Sequence, residues 1–142
     1  MMKSVFSGTY ELISWKNTSS SGEQTYPFGP NAKGFITYTS NGYVSVHLMA
    51  ESRAMFTNEG IFDALAAEAL QNQLNYISYF GTFTATESTV FHRLLSCSFP
   101  NWEGTTQVRN WSFQNGLLQL SVDKLLVDNE LVSAQLIWQP LS

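Results

Sequence analysis

Lys33-Gly34-Phe35-Ile36-Thr37-Tyr38-Thr39 is followed by Asn41-Gly42 and then by Tyr43-Val44-Ser45-Val46-His47-Leu48-Met49. Both runs alternate in period two and are rich in β-branched and aromatic residues, which describes strands half-buried in an antiparallel sheet. The Asn-Gly joint supplies two residues that tolerate positive φ, so it predicts a tight type I′ hairpin. A second unit of the same kind follows, with Thr105 to Phe113 and Leu117 to Val122 flanking Asn115-Gly116. Four more alternating runs complete the pattern: Gly8 to Trp15, Ile77 to Thr86, Thr89 to Phe99 and Leu131 to Trp138. Thr86-Glu87-Ser88 and Asp128-Asn129-Glu130 read as looser polar turns. About eight strands joined by hairpins predict an all-β, up-and-down antiparallel β-barrel, because closure removes the edge strands that an open meander leaves unpaired.

One segment departs from this period. From Gly60 to Tyr76 no Pro and no further Gly interrupts a composition of Ala, Leu, Glu and Gln, all good helix formers. Phe62, Leu65, Ala66, Ala69, Leu70, Gln73, Leu74 and Ile77 recur at three-and-four spacing, giving one largely apolar stripe. The reading is one inserted α-helix near residues 60–77, with Asn58 as its N-cap, placed to plug or cover one end of the barrel. Residues 17–32 form a long loop whose second half, Tyr26-Pro27-Phe28-Gly29-Pro30, is stiff and aromatic. Such rings pack on something rather than serve as a linker. No repeat or composition shift divides the chain, so residues 1–142 read as a single domain.

Composition narrows the function. Charged residues make up 13% and aromatics 14%, with 29 Ser plus Thr in 142 residues. That excludes a disordered chain, which would be charge-rich and aromatic-poor. A net charge of −4 with seven Lys plus Arg argues against nucleic acid, whose phosphates demand basic side chains. No run approaches the ~18 apolar residues of a membrane helix, and Met1 to Gly8 lacks the apolar core of a secretory signal. The expected location is the cytoplasm. Cys97, the single cysteine, excludes an intrachain disulfide and reads as a small packing residue.

Two stretches carry a resemblance. Tyr26-Pro27-Phe28-Gly29-Pro30-Asn31-Ala32-Lys33-Gly34, continuing to Asn41-Gly42-Tyr43, resembles the signature of the lipocalin-like domain family of small single-domain bacterial and fungal proteins. Phe99-Pro100-Asn101-Trp102-Glu103-Gly104-Thr105, followed by Gln107-Val108-Arg109, is similar to the family's second hallmark, and Tyr79-Phe80-Gly81 also fits. Gly8-Thr9-Tyr10 stands where the family has Gly-x-Trp, and His92-Arg93 where it has a His-His pair, leaving one imidazole there. The resemblance implies a closed barrel of lipocalin type. It implies no reaction, since barrels of this class serve both as carriers and as enzymes, some of which fold reactive substrates for cyclisation.

An eight-stranded barrel is just wide enough to be filled by side chains or to hold one small ligand. Faces that mix aromatics with a few hydrogen-bonding groups suit a small-molecule cavity, and Tyr43, His47, His92, Gln107, Arg109 and Trp111 are expected to line the lumen. Tyr26, Phe28, Tyr38 and Tyr79 are further candidates for ligand contact, with plain core packing as their alternative, and Trp102 is a candidate wall or gate at the barrel mouth. The two histidines, His47 and His92, are the side chains whose charge changes near neutral pH without help, so they are the candidate acids or bases. Their alternative is a hydrogen-bonded or solvent-facing role. Two His without a placed carboxylate fall short of a metal site, so no metal and no cofactor are expected. Arg109 has two open readings: a structural stack over Tyr10 at the closed end, or a cavity cation clamping a ligand carboxylate or enolate. The leading functional expectation is binding of a small hydrophobic or aromatic molecule in the lumen. A cofactor-free isomerase or cyclase using His47, His92 and Arg109, or a dimeric structural barrel, are the alternatives.

Overall fold

The computed structural model describes residues 5–141. The strands are β1 (Gly8–Thr18), β2 (Gln24–Thr25), β3 (Lys33–Tyr38), β4 (Tyr43–Met49), β5 (Tyr76–Ala85), β6 (Thr89–Cys97), β7 (Thr106–Gln114), β8 (Leu117–Val127) and β9 (Glu130–Pro140). One helix, α1 (Ala66–Asn75), joins β4 to β5. Each long strand pairs antiparallel with the next, and β9 returns to pair with β1 from Tyr10↔Pro140 to Thr18↔Ser133. The eight long strands therefore close into a barrel. The two-residue β2 adds only Asn17↔Thr25 and Thr18↔Gln24.

Alternation assigns the faces. In β4, Val44, Val46 and Leu48 are buried, while Tyr43, Ser45, His47 and Met49 are not. In β6, Val90, His92 and Leu94 are all 0–1% exposed and point inward. Three β-bulges then change the phase. Between Leu12 and Ser14 the register slips, so the inward set passes from Tyr10 and Leu12 to Trp15 and Asn17. Opposite Phe80 and Gly81, Leu95 is extruded (56% exposed) and Cys97 turns toward the core. Between Val122 and Leu125 the third bulge brings Leu125 to the core and absorbs Asp123 and Lys124. An extra residue per bulge moves every later side chain to the other face. All three lie toward the same end of the barrel, the end that carries α1 and the longer loops.

The opposite end is sealed. Phe6 is fully buried and packs against Tyr38, Trp111 and Phe83 at ring-centroid distances of 5.0, 4.9 and 6.0 Å. The Tyr10 hydroxyl donates to the Phe6 carbonyl at 3.0 Å, fixing that plug to β1.

Several local expectations are corrected. The helix begins at Ala66 rather than near Gly60, because residues 60–65 are spent on a turn in which Asp63 N–H donates to Gly60 O. Asn58 holds that turn through Asp63 O at 2.9 Å instead of capping the helix, whose N-cap position is Leu65 with no side-chain bond. Asn115-Gly116 is the expected two-residue turn, with φ of 55° and 78°. At Asn41-Gly42 only the glycine has positive φ (94°), and Thr39 anchors a longer turn by accepting the Gly42 N–H and donating its own to Tyr43 O. Asp128-Asn129 is the tight one: both residues sit at positive φ (49° and 63°), and β8 runs on to Val127 rather than stopping at Val122.

Glycine is demanded where backbones meet. A Cβ on Gly81 would collide with the Arg93 carbonyl at the β5–β6 bulge. Gly81→Ala should therefore cost about 3 kcal/mol of folding stability, read as the shift in urea midpoint at constant m-value. An unshifted midpoint would contradict this close approach.

Candidate functional site

The lumen above the aromatic plug is a cavity of about 410 Å³. Its walls are apolar: Ile36, Val46 and Leu48 from β3 and β4, Leu120 and Val122 from β8, and Leu136 from β9. Each falls on the inward phase of its strand, as the bulged register requires. Around the mouth stand Pro27 and Phe28 of the first long loop, Gln73 and Leu74 of α1, and Phe99 and Trp102 of the β6–β7 loop. Trp15 packs edge-on against Phe28 at 5.0 Å and donates its indole N–H to the buried Asn17 at 2.8 Å. That contact ties the proline-aromatic loop to the barrel wall.

Polar groups gather at the floor. His92 is 1% exposed, and both of its ring nitrogens are engaged: Nε2 with the Tyr38 hydroxyl at 2.7 Å and Nδ1 with the Tyr79 hydroxyl at 2.6 Å. Burial, with the Arg109 guanidinium nearby, holds its pKa down at about 3, so the ring is neutral at physiological pH. Burial also pushes Tyr79 up to about 12 against the opposing pull of Arg109, and Tyr38 well above the ordinary phenol value. The three groups therefore form an uncharged chain.

Proton counting orders that chain. A neutral imidazole has one N–H and one lone pair, so it donates to one tyrosine and accepts from the other. The tyrosine that accepts keeps a free O–H. Tyr38 lies beneath the cavity among Phe6, Tyr10 and Phe83, whereas Tyr79 and His92 line the cavity itself. A free O–H is satisfied in the cavity and stranded in the core, and stranding it costs about 1–3 kcal/mol. The favoured arrangement has Tyr38 donating to Nε2, Nδ1–H donating to Tyr79, and the Tyr79 hydroxyl left with an unused O–H at the cavity.

Arg109 completes the floor. It lies opposite Val90 in the β6–β7 register, lines the cavity, and donates from Nη1 to Val108 O at 3.1 Å. The cation–π contact found among the described residues is that of Arg53 over Tyr76, so the stack of Arg109 on Tyr10 is not formed.

The expected site residues thus separate. His92, Arg109, Tyr79, Phe28 and Trp102 share the cavity. Tyr38 supports it from below through His92. Gln107 faces His92 across the strands, but its amide turns to Thr105 Oγ1 at 2.9 Å, off the cavity lining. Trp111 points inward below the floor, where its N–H donates to Thr86 O at 2.9 Å. Tyr43 and His47, expected in the lumen, lie on the outer face, because Val44, Val46 and Leu48 take the inner one. Tyr43 stacks on Phe80 at 5.6 Å, and His47 Nδ1 meets the Tyr76 hydroxyl at 3.0 Å. Tyr26 is 45% exposed and off the cavity lining, beside Pro27 and Phe28, which belong to it. Trp15 and Trp138, which also line the cavity, were not expected there. Trp15 is hidden by the β1 bulge, and Trp138 alternates inward on β9 from a run read only for its strand pattern.

Among the described residues no group of three His, Cys, Asp or Glu is placed to hold a metal, and no helix is long and apolar enough to cross a membrane. A closed antiparallel barrel with an apolar lumen open at one end defines the lipocalin-like class, an architecture that in general holds a ligand in its lumen. The chain matches the lipocalin-like domain model over residues 7–140 and belongs to that family. Comparison with curated proteins and with solved structures found no match.

Keeping His92 neutral has a thermodynamic signature. The unfolded chain binds its proton near pH 6.5 while the fold refuses it down to about pH 3. Stability should be level in this respect above pH 6.5 and fall as pH drops, by up to about 1.4 kcal/mol per pH unit. His92→Gln should begin less stable at pH 7 and lose less between pH 6.5 and 5. Parallel pH profiles from urea denaturation of the two proteins would refute the assignment.

Proposed function

We propose that this barrel binds one small, mostly hydrophobic molecule in its lumen. The observation that carries the reading is the cavity itself, about 410 Å³, with aliphatic walls, aromatic rings at the mouth and a small set of polar groups at one end. That volume lies at the compact end of the ~300–1,000 Å³ typical of small-molecule sites. Apolar walls supply affinity, and convergent donors fix orientation.

The isomerase or cyclase alternative needs a group that exchanges protons near neutrality. His47 is outside the barrel, and His92 is held neutral with both nitrogens occupied by tyrosines. These placements favour binding over acid–base work as the use of this cavity.

Uptake of N-phenyl-1-naphthylamine, a neutral apolar dye that brightens in dry surroundings, tests the reading. The wild-type protein should bind it in the micromolar range and quench the emission of the lining tryptophans Trp15, Trp102 and Trp138. Leu136→Trp places an indole inside the lumen from a half-buried wall position and should weaken dye binding at least tenfold while the barrel stays folded by circular dichroism. No dye uptake by the wild type, or equal uptake by the variant, would defeat the proposal. Native mass spectrometry of freshly purified protein adds the chemical class of any retained molecule.

A further inference from the structure

The polar end of the cavity has a definite sign. Arg109 offers five N–H donors, of which one is used on Val108 O, and none of the cavity-lining residues is an Asp or Glu. Arg109 is half-buried at the edge of an apolar wall, and no carboxylate of the lining stands beside it, so its remaining donors are open to an anion that enters the lumen. Beside it, the ordered Tyr38–His92–Tyr79 chain leaves the Tyr79 O–H as a donor. A third donor is present in the same lining: the indole N–H of Trp138, a residue 1% exposed, has no hydrogen-bond partner. Buried polar groups without partners are few in folded proteins, and each calls for an explanation, of which a ligand acceptor in the cavity is one.

Every free polar group at the floor is therefore a donor. Both nitrogens of His92 are taken, so the imidazole contributes no acceptor, and the one carbonyl-bearing side chain of the lining, Gln73, stands at the mouth. The complement of such a surface is acceptor-rich and negative. One cation in an apolar cup balances one charge, which selects a monoanion over a phosphate dianion. The planar fork of arginine matches a carboxylate in two parallel hydrogen bonds.

We propose that the ligand of this cavity is a compact apolar carboxylate, inserted headgroup first, with its carboxylate held by Arg109 and the Tyr79 hydroxyl and its hydrocarbon along the aliphatic walls. This rests on the binding function proposed above and adds the chemistry of the headgroup. Tyr79 stays protonated across the physiological range, so it donates to the anion rather than repelling it. Taking a carboxylate out of water without a partner is strongly unfavourable, so the sign of the headgroup preference reports directly on Arg109.

Matched pairs differing only at the headgroup supply the test: decanoate against decan-1-ol, and 4-phenylbutyrate against 4-phenylbutan-1-ol, titrated calorimetrically at pH 7. The wild-type protein should prefer each acid over its alcohol by at least tenfold. In Arg109→Gln the ratio should fall to one or below, because the carboxylate loses its cation and keeps its desolvation penalty. Arg109→Lys, which retains charge without the planar fork, should give an intermediate ratio and serves if the glutamine variant does not fold. Tyr79→Phe should lower the acid-to-alcohol ratio by roughly three- to tenfold. Binding of the alcohols with no preference for the acids in the wild type would overturn the headgroup assignment and leave the cavity reading standing. Failure of acids, alcohols and the naphthylamine dye alike would overturn both.

Discussion

Closure of the sheet between β1 and β9 is the constraint on which the rest depends. With β1 paired to β3 on one side and β9 on the other, the eight long strands form a closed ring, in which β7 and β8 pair over Asn110 to Gln114 and Leu117 to Ser121. Closure also fixes an inside. Eight strands of six to eleven residues enclose little more than one layer of side chains, so what occupies the lumen is decided by which residues each strand turns inward. At the sealed end Phe6, Tyr38, Phe83 and Trp111 fill that space completely. Toward the other end the inward residues are mostly aliphatic and leave the middle empty. The three bulges lie in this half, and by re-phasing β1, β6 and β8 they decide that Trp15 and Leu125 face inward while Leu95 faces water.

The boundary between the filled and empty halves is where the polar chain lies, and its position follows from burial energetics. Tyr38 belongs to the packed half and Tyr79 to the lined half, with His92 bridging them at 2.7 and 2.6 Å. An imidazole so deeply buried survives uncharged because both nitrogens are satisfied without any carboxylate. A carboxylate partner would draw the proton onto the ring and put an ion pair under the cavity. Two phenols instead pass a single hydrogen-bond direction from the core to the lumen. The packed aromatic end thus orders a donor for the empty end, and Arg109 adds charge at the same level. Chemistry in this barrel is concentrated in one layer, with hydrocarbon above it and aromatic packing below.

Much of this layout is legible in the sequence, and the gaps have physical causes. Alternation located every long strand, and the Asn115-Gly116 turn followed from the tolerance of both residues for positive φ. Period two does not say which face is inside. In β4 the wholly apolar set Val44, Val46 and Leu48 takes the lumen, so reading the mixed set of Tyr43 and His47 as cavity-lining inverted the strand. In β6 and β7 the mixed sets do face inward, which places His92 and Arg109 on the cavity lining. A bulge is invisible to alternation because it is a property of two strands in register. Trp15, outside the inward phase begun by Tyr10 and Leu12, is therefore a wall that no single-strand reading finds. Asp128-Asn129-Glu130 reads as a looser polar turn, yet Asp and Asn tolerate left-handed backbone well enough to close a two-residue turn.

The mouth follows a different logic from the floor. No residue of α1 is fully buried, and Leu70 and Leu74 are each more than half exposed. The helix touches the cavity through Gln73 and Leu74 alone, so displacing it exposes little apolar surface beyond what water already reaches. Phe28, by contrast, is held by Trp15, and Trp102 packs edge-on against Phe99 at 5.6 Å within a short 3-10 turn that spans Pro100 to Trp102. The mouth is thus bounded on two sides by anchored aromatic rings and on the third by a helix whose apolar stripe is incompletely covered. The floor is fixed by hydrogen bonds, whereas the mouth is held by modest apolar contact.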